Sequence, residues 1–310
     1  MGSPWLSRVA ALRATCMLLA STAYLGSCPS AYAQSPKSWA ELGPAVVSDV
    51  ERGRPLVVVV VVPLCSNSQI ACGSHGLGSP GSLRTNLYWG ALYGARRFFD
   101  RPERGYERIA VEAGDGSPGA PWLERVIYRR WVASAPWGAV AGSAMPGSPS
   151  PGAGGRVEQL VVLEAFHGEQ IDAAVDHFWT LAGQGGAVRF QDGGRPRVER
   201  IHAVGYAGHD RLMDGHRLPA LAPSRGTEPI PSFVLACLSE RFFGAPLRAA
   251  GSSTLVTTSA YVAPEGYAVE AAVRALGAAA SPEAVRQEVV TAYAKWQAIP
   301  WRQASRYFAP

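Results

Sequence analysis

The chain has 310 residues, 47% of them hydrophobic and 17% charged, which is the balance of a globular protein long enough to bury a core and excludes a disordered chain. Its 29 basic and 24 acidic residues leave a formal charge of +5, and the arginines that carry much of it are scattered: Arg52, Arg54, Arg96, Arg97, Arg129, Arg130 and Arg195. No basic stripe with interleaved aromatics forms, so nucleic acid is not an expected partner.

Residues 1–33 read as an export signal. Arg8 and Arg13 supply positive charge, residues 16–25 a short apolar stretch, and Ala31-Tyr32-Ala33 an A-x-A cleavage site. The mature chain then starts at Gln34 and works in the periplasm or outside the cell. Leu25-Gly26-Ser27-Cys28 offers a lipid anchor at Cys28 instead, but the A-x-A match is cleaner. No later run reaches the roughly 18 apolar residues of a transmembrane helix.

Residues 34–53 are a polar lead-in with a short helix around residues 39–42. Residues 55–62 are nearly all Val, a strand that needs cover on both faces, as in a parallel sheet between helical layers. A Gly-, Ser- and Pro-rich loop follows, holding Cys65, Cys72 and His75. A helix is expected over residues 86–99, capped by Asn86, with Tyr88 and Trp89 as core or cleft wall. Strands are expected at 107–113, 123–133 and 157–164, separated by turns and by a low-complexity loop at 136–156. An amphipathic helix follows at 169–181, with Ile171, Val175 and Phe178 on one face, and then a turn-rich connector at 183–196. Two apolar strands come next, residues 201–209 ending in Gly208-His209 and residues 232–237 ending in Ala236-Cys237. A strand at 253–261 and helices opening at Pro264 and Pro282 complete the pattern. Strand and helix alternate, which predicts a three-layer α/β sandwich with a mostly parallel sheet, a single domain over residues 34–310.

Ligands of open α/β sheets sit beyond the carboxyl ends of the strands. His209 and Cys237 end adjacent apolar runs, so an imidazole and a thiol are expected at one edge, the types needed for a base and a nucleophile. Gly208, Asp210 and Ser239 are expected beside them as oxyanion donors or cleft residues, and Tyr88, Trp89 and Tyr261 as a substrate cleft. Cys65 and Cys72 are spaced to pair in an oxidising compartment, which leaves Cys237 odd. His177 reads as a surface residue. His202 is expected to point away from the His209 edge or into a helix layer. Glu265 is expected in the first turn of a helix, favoured there by the helix dipole.

The order strand-His, then strand-Ala236-Cys237, resembles the caspase-like cysteine peptidases, the group of caspases, legumains and gingipains. The resemblance implies a caspase-like fold, a Cys237–His209 dyad and no cofactor. In that group a Gly amide after the His serves the oxyanion; Asp210 stands here instead. Asn86-Leu87-Tyr88-Trp89-Gly90-Ala91-Leu92-Tyr93-Gly94, Gly208-His209-Asp210-Arg211-Leu212-Met213-Asp214 and Leu235-Ala236-Cys237 are similar to segments of a family of exported bacterial proteins of uncharacterised activity.

Two other readings stay open. A non-catalytic binding protein of the same fold would hold a peptide or small molecule among Tyr88, Trp89 and Tyr261. A metal site would use His209, Asp210, Asp214 and His216, with His167 at the neighbouring strand end, although the spacing fits no established zinc motif.

Overall fold

The structure, a computed structural model, describes residues 38–43, 45–115, 117, 120–140, 155–222 and 226–309. The expected export signal, the Cys28 box and residues 141–154 of the low-complexity loop lie outside them. Pro36–Pro310 form one compact unit.

The chain enters through a 3-10 turn at Trp39–Leu42 and a short helix α1 (Val46–Glu51), then runs into strand β1 (Leu56–Pro63). A loop leads to α2 (Ala95–Phe99), followed by β2 (Glu107–Ala113), β3 (Glu124–Ala133), α3 (Ala135–Val140) and β4 (Arg156–Phe166). Helix α4 (Ile171–Gln184) precedes a hairpin, β5 (Ala187–Asp192) and β6 (Arg195–Arg200). Then come β7 (Ala203–Ala207), β8 (Ser232–Leu235), α5 (Ala245–Ala249), β9 (Thr254–Val256), α6 (Gly266–Gly277), α7 (Pro282–Trp296) and α8 (Trp301–Ala304).

Among the described residues the main sheet has seven strands in the order β2-β3-β4-β1-β7-β8-β9. β4, β1, β7, β8 and β9 are parallel to one another; β2 and β3 extend the sheet antiparallel. Every residue of β1 is buried. Its even-numbered side chains from Leu56 to Val62 join one apolar layer with Phe98, Tyr267 and Val289. Val57, Val59 and Val61 join the other with Phe178, Tyr206 and Phe243. The Val run is therefore the middle of a sandwich, covered by α1, α2, α6 and α7 on one side and α4 and α5 on the other.

Several expected elements are corrected. Only Ala95–Phe99 of the expected 86–99 helix is helical. Asn86 is not its cap: it is fully buried, and its amide accepts from the Cys65 and Tyr88 N–H groups and donates to the Cys65 and Ser79 carbonyls. Two loops are thereby fixed by one side chain, and the helix gives way to that clamp. The connector at 183–196 carries β5 and the turn of the β5–β6 hairpin, made by Gly193 and Gly194, whose φ values of 56° and 81° suit a two-residue turn. The focal strands are shorter than their apolar runs, and β9 keeps only three residues.

Candidate functional site

The register aligns the two focal strand ends. Tyr206 of β7 pairs with Val234 of β8, and His209 and Cys237 each lie three residues beyond that pair. Neighbouring strands are about 4.8 Å apart, so the two residues leave one sheet edge side by side. Gly208 is needed for the approach of β7 to β1, since a Cβ there would stand 2.6 Å from Pro63 Cγ. The close neighbour of Gly208 is thus the protein's own Pro63.

Past β7 the chain turns sharply. The Tyr206 hydroxyl donates to the His209 carbonyl at 2.7 Å. Asp210 Oδ1 accepts from the Leu212 and Met213 N–H groups at 3.0 and 3.2 Å. The turn swings Asp214 back to His209, with Nε2 and Oδ2 2.6 Å apart. If Nε2 carries the proton toward this carboxylate, Nδ1 is left as an acceptor. The strap beyond lies along α4: Arg211 pairs with Asp172 at 2.7 Å, His216 with Asp176 at 2.8 Å, and Trp179 Nε1 donates to the Pro219 carbonyl.

Past β8 the chain is pinned to residues 257–262. Leu238, directly after Cys237, adopts a left-handed φ of 53°, a conformation costing about 1 kcal/mol for a residue with a side chain. Bonds from Leu238 N–H to the Ala260 carbonyl and from Glu240 N–H to the Thr258 carbonyl hold it there. Ser239 is fully buried; its hydroxyl donates to the Val234 carbonyl and accepts from Thr258 N–H. The expected cleft role of Ser239 is therefore corrected: it ties β8 to the segment after β9.

The Cys237 thiol is half-buried and donates to the Val262 carbonyl at 3.6 Å. Burial pushes its pKa up, and the charge of Asp210 adds to the rise. No hydrogen bond joins its sulfur to the His209 ring among the described residues. Asp210 is wholly buried, and its Oδ2 has no hydrogen-bond partner. Burial pushes its carboxyl up to about 6, against the pull of the Met213 and Leu212 N–H groups. Among the described residues the amide N–H groups of Cys237 and Asp210 reach no acceptor carbonyl.

The third wall comes from the loop after β1. Cys65 and Cys72 form a disulfide there, and the Asn86 clamp brings in Tyr88. Tyr88 is 5% exposed; its phenol is driven well above the usual range by burial, then by the negative charges of Cys237 and Glu265. Tyr293 feels the same two groups, and its hydroxyl accepts from Ala263 N–H. Glu265 precedes α6 at the N-cap position, not within the first turn, and caps no backbone group. Its carboxylate accepts from Gln297 Nε2 at 3.2 Å.

Of the aromatics expected in the cleft, the buried Tyr88 feels the charge of Cys237, and Tyr261 stands 69% exposed. Trp89 does not belong: it is fully buried and donates its indole N–H to Glu124 Oε1 at 2.8 Å. The expected surface residue His177 instead pairs with buried Glu164 at 2.8 Å. His202, expected to point away from the site, does so, buried against Asp49 and Val57 N–H. The residues of the metal reading separate into distinct pairs, and among the described residues no group of three His, Cys, Asp or Glu side chains converges to hold an ion. His167 accepts from Glu169 N–H and serves its own turn. Val262, Glu265, Thr258 and Tyr293 join Cys237 from distant parts of the chain; only the Ala263-Pro264-Glu265 helix start is visible locally. No helix among the described residues is long and apolar enough to cross a membrane. Compared with known protein families, curated proteins and solved structures, the chain matches none.

Proposed function

We propose that the protein is a cysteine hydrolase acting on a peptide or similar acyl compound, with Cys237 as nucleophile and His209 as base. One observation carries this reading: thiol and imidazole leave adjacent parallel strands at the same level, and the imidazole is oriented by the carboxylate of Asp214 at 2.6 Å. A nucleophile, a base and a group that orients the base are the recurring parts of acyl-transfer sites.

The raised thiol pKa assigns the order of events. The resting thiol keeps its proton. As Sγ attacks the carbonyl carbon, its proton passes to His209 Nδ1 and the C–S bond forms. The amide N–H groups of Cys237 and Asp210 are the donors available to the oxyanion. Nδ1–H then protonates the leaving amine as the C–N bond breaks. A water molecule, giving a proton to Nδ1, attacks the thioester; the C–S bond breaks and the thiol takes the proton back. Hydrogen bonds of this kind tighten when substrate arrives, so the absence of a resting sulfur–imidazole bond is compatible with the scheme. The buried disulfide fits an oxidising compartment and an exported protein, and the strand-His, strand-Ala-Cys order fits a caspase-like fold.

A second reading is favoured by the bond from the thiol to Val262: a non-catalytic site that binds a peptide or small molecule over the same edge. Incubation of the full chain with a complex peptide mixture, read by mass spectrometry for new termini, separates the two. Hydrolysis requires cleavage that disappears in both Cys237→Ala and His209→Ala. No cleavage, or cleavage surviving both changes, removes the enzyme and leaves the binding reading.

A further inference from the structure

Among the described residues, buried and half-buried carboxylates are neutralised with two exceptions. Each described Asp or Glu that is buried or half-buried has an Arg or His ion-pair partner, from Asp49 with Arg52 to Glu288 with Arg274. The exceptions are Asp210 and Glu265, which enter no ion pair, and both belong to the site around Cys237. Asp210 follows His209 at the end of β7, with its Oδ2 buried and unpartnered. Glu265 stands three residues beyond the Val262 carbonyl that holds the thiol, and the groups that hydrogen-bond its carboxylate, Gln297 Nε2 and the Tyr267 hydroxyl, are neutral.

Leaving a buried carboxylate at Asp210 and a half-buried one at Glu265 unneutralised is costly, and the charge of Asp210 is doubly unfavourable because it opposes the thiolate. The arrangement is relieved by an external positive charge. Tyr88 and Tyr293 sit beside the same groups, and phenol rings add to the binding of organic cations. Resting on the hydrolase reading, we propose that Asp210 and Glu265 receive a cationic group of the substrate, so that the compound cleaved at Cys237 carries a guanidinium or ammonium near its scissile acyl carbon. Occupation by that cation cancels the part of the thiol's upward shift that comes from Asp210, burial supplying the larger part, so the substrate itself helps to activate the nucleophile.

The sign of the field is measurable at the thiol without knowing the substrate. Cys237 of the full chain is modified with 2-(trimethylammonium)ethyl methanethiosulfonate and, separately, with 2-sulfonatoethyl methanethiosulfonate. Rates are followed at this residue by mass spectrometry, and their ratio is compared with that for mercaptoethanol. Two nearby carboxylates should favour the cationic reagent about tenfold beyond that reference. The preference should fall at least threefold in Glu265→Gln or Asp210→Asn. A ratio equal to the reference, or unchanged in both variants, overturns the proposal. Neutral iodoacetamide run in parallel checks that the thiol of each variant is as reachable as the parent's, a faster rate marking an unfolded variant. Argininamide and cadaverine, added as competitors, distinguish guanidinium from ammonium. Loss of the hydrolase reading shows differently, as iodoacetamide labelling indifferent to His209→Ala; a preserved charge preference would then mark a cation-binding site without catalysis.

Discussion

Two groups of carboxylates show opposite treatment. On the outer face of the sheet, Glu158 of β4, Asp192 of β5 and Glu199 of β6 are gathered by Arg129 and Arg197. Arg197 reaches Glu158 and Asp192 at 3.0 Å and Glu199 at 2.8 Å, and Arg129 bonds Glu158 and Asp192. Their charges hold the β5–β6 hairpin to the sheet, two guanidiniums among three carboxylates. At the carboxyl edge, Asp210 and Glu265 have no basic partner among the described residues, and the charge of Asp210 bears on the Cys237 thiol. Where charges serve only the fold, they are matched; where they are left unmatched, the remaining partner is expected to come from outside.

Four changes sharpen or break that contrast. Arg197→Met leaves three acids to one guanidinium and should destabilise the protein by about 2–3 kcal/mol in urea unfolding, since a partly buried network loses its centre. Asp214→Asn loosens the orientation of His209. Peptide cleavage should fall roughly 10- to 100-fold, about 1.4–2.7 kcal/mol in transition-state stabilisation, with stability little changed. Asp210→Asn works in the other direction. Asp210 holds its proton more tightly in the fold than in the unfolded chain, so its contribution to stability is full below pH 4 and is lost as pH rises through about 6. The variant should therefore be more stable than the parent at pH 8, by on the order of 2 kcal/mol, and no more stable at pH 4. A parent whose advantage instead grew with pH would mean that Asp210 has a basic partner after all. Glu265→Gln should have the smallest effect, a stabilisation of under about 1 kcal/mol near neutral pH, because it relieves an unneutralised carboxylate that is only half-buried and already takes a hydrogen bond from Gln297.

Much of the fold could be read from local pattern. The Val run of β1 demands cover on both faces, and β2, β3, β4, α4 and α7 follow from period and Pro placement. His209 and Cys237 stand where their apolar runs end, so their shared edge was legible too. Asn86 was not: the same residue type that caps helices can clamp two loops when buried, and nothing near it says which. The β5–β6 hairpin had its signal in Gly193-Gly194 between alternating residues, hidden by the exposed, arginine-rich character of β6. Trp89 and Ser239 looked suited to a cleft by type; their partners, Glu124 and Thr258, are remote in sequence and took them out of reach. Glu265 drew notice only as a helix start, because an unmatched charge can be recognised only once every other charge has been placed.

The account depends on thiol and imidazole acting as one unit. The direct measurement is the rate of iodoacetamide labelling at Cys237 across pH 5–10, in the parent and in His209→Ala. The account predicts a parent profile set above the ordinary thiol range, as its burial and Asp210 require, and at least a fivefold slower rate near pH 7.5 in the variant, which lacks the base that accepts the thiol proton. Identical profiles would contradict it, leaving Cys237 as a buried thiol that has His209 for a neighbour and not for a partner.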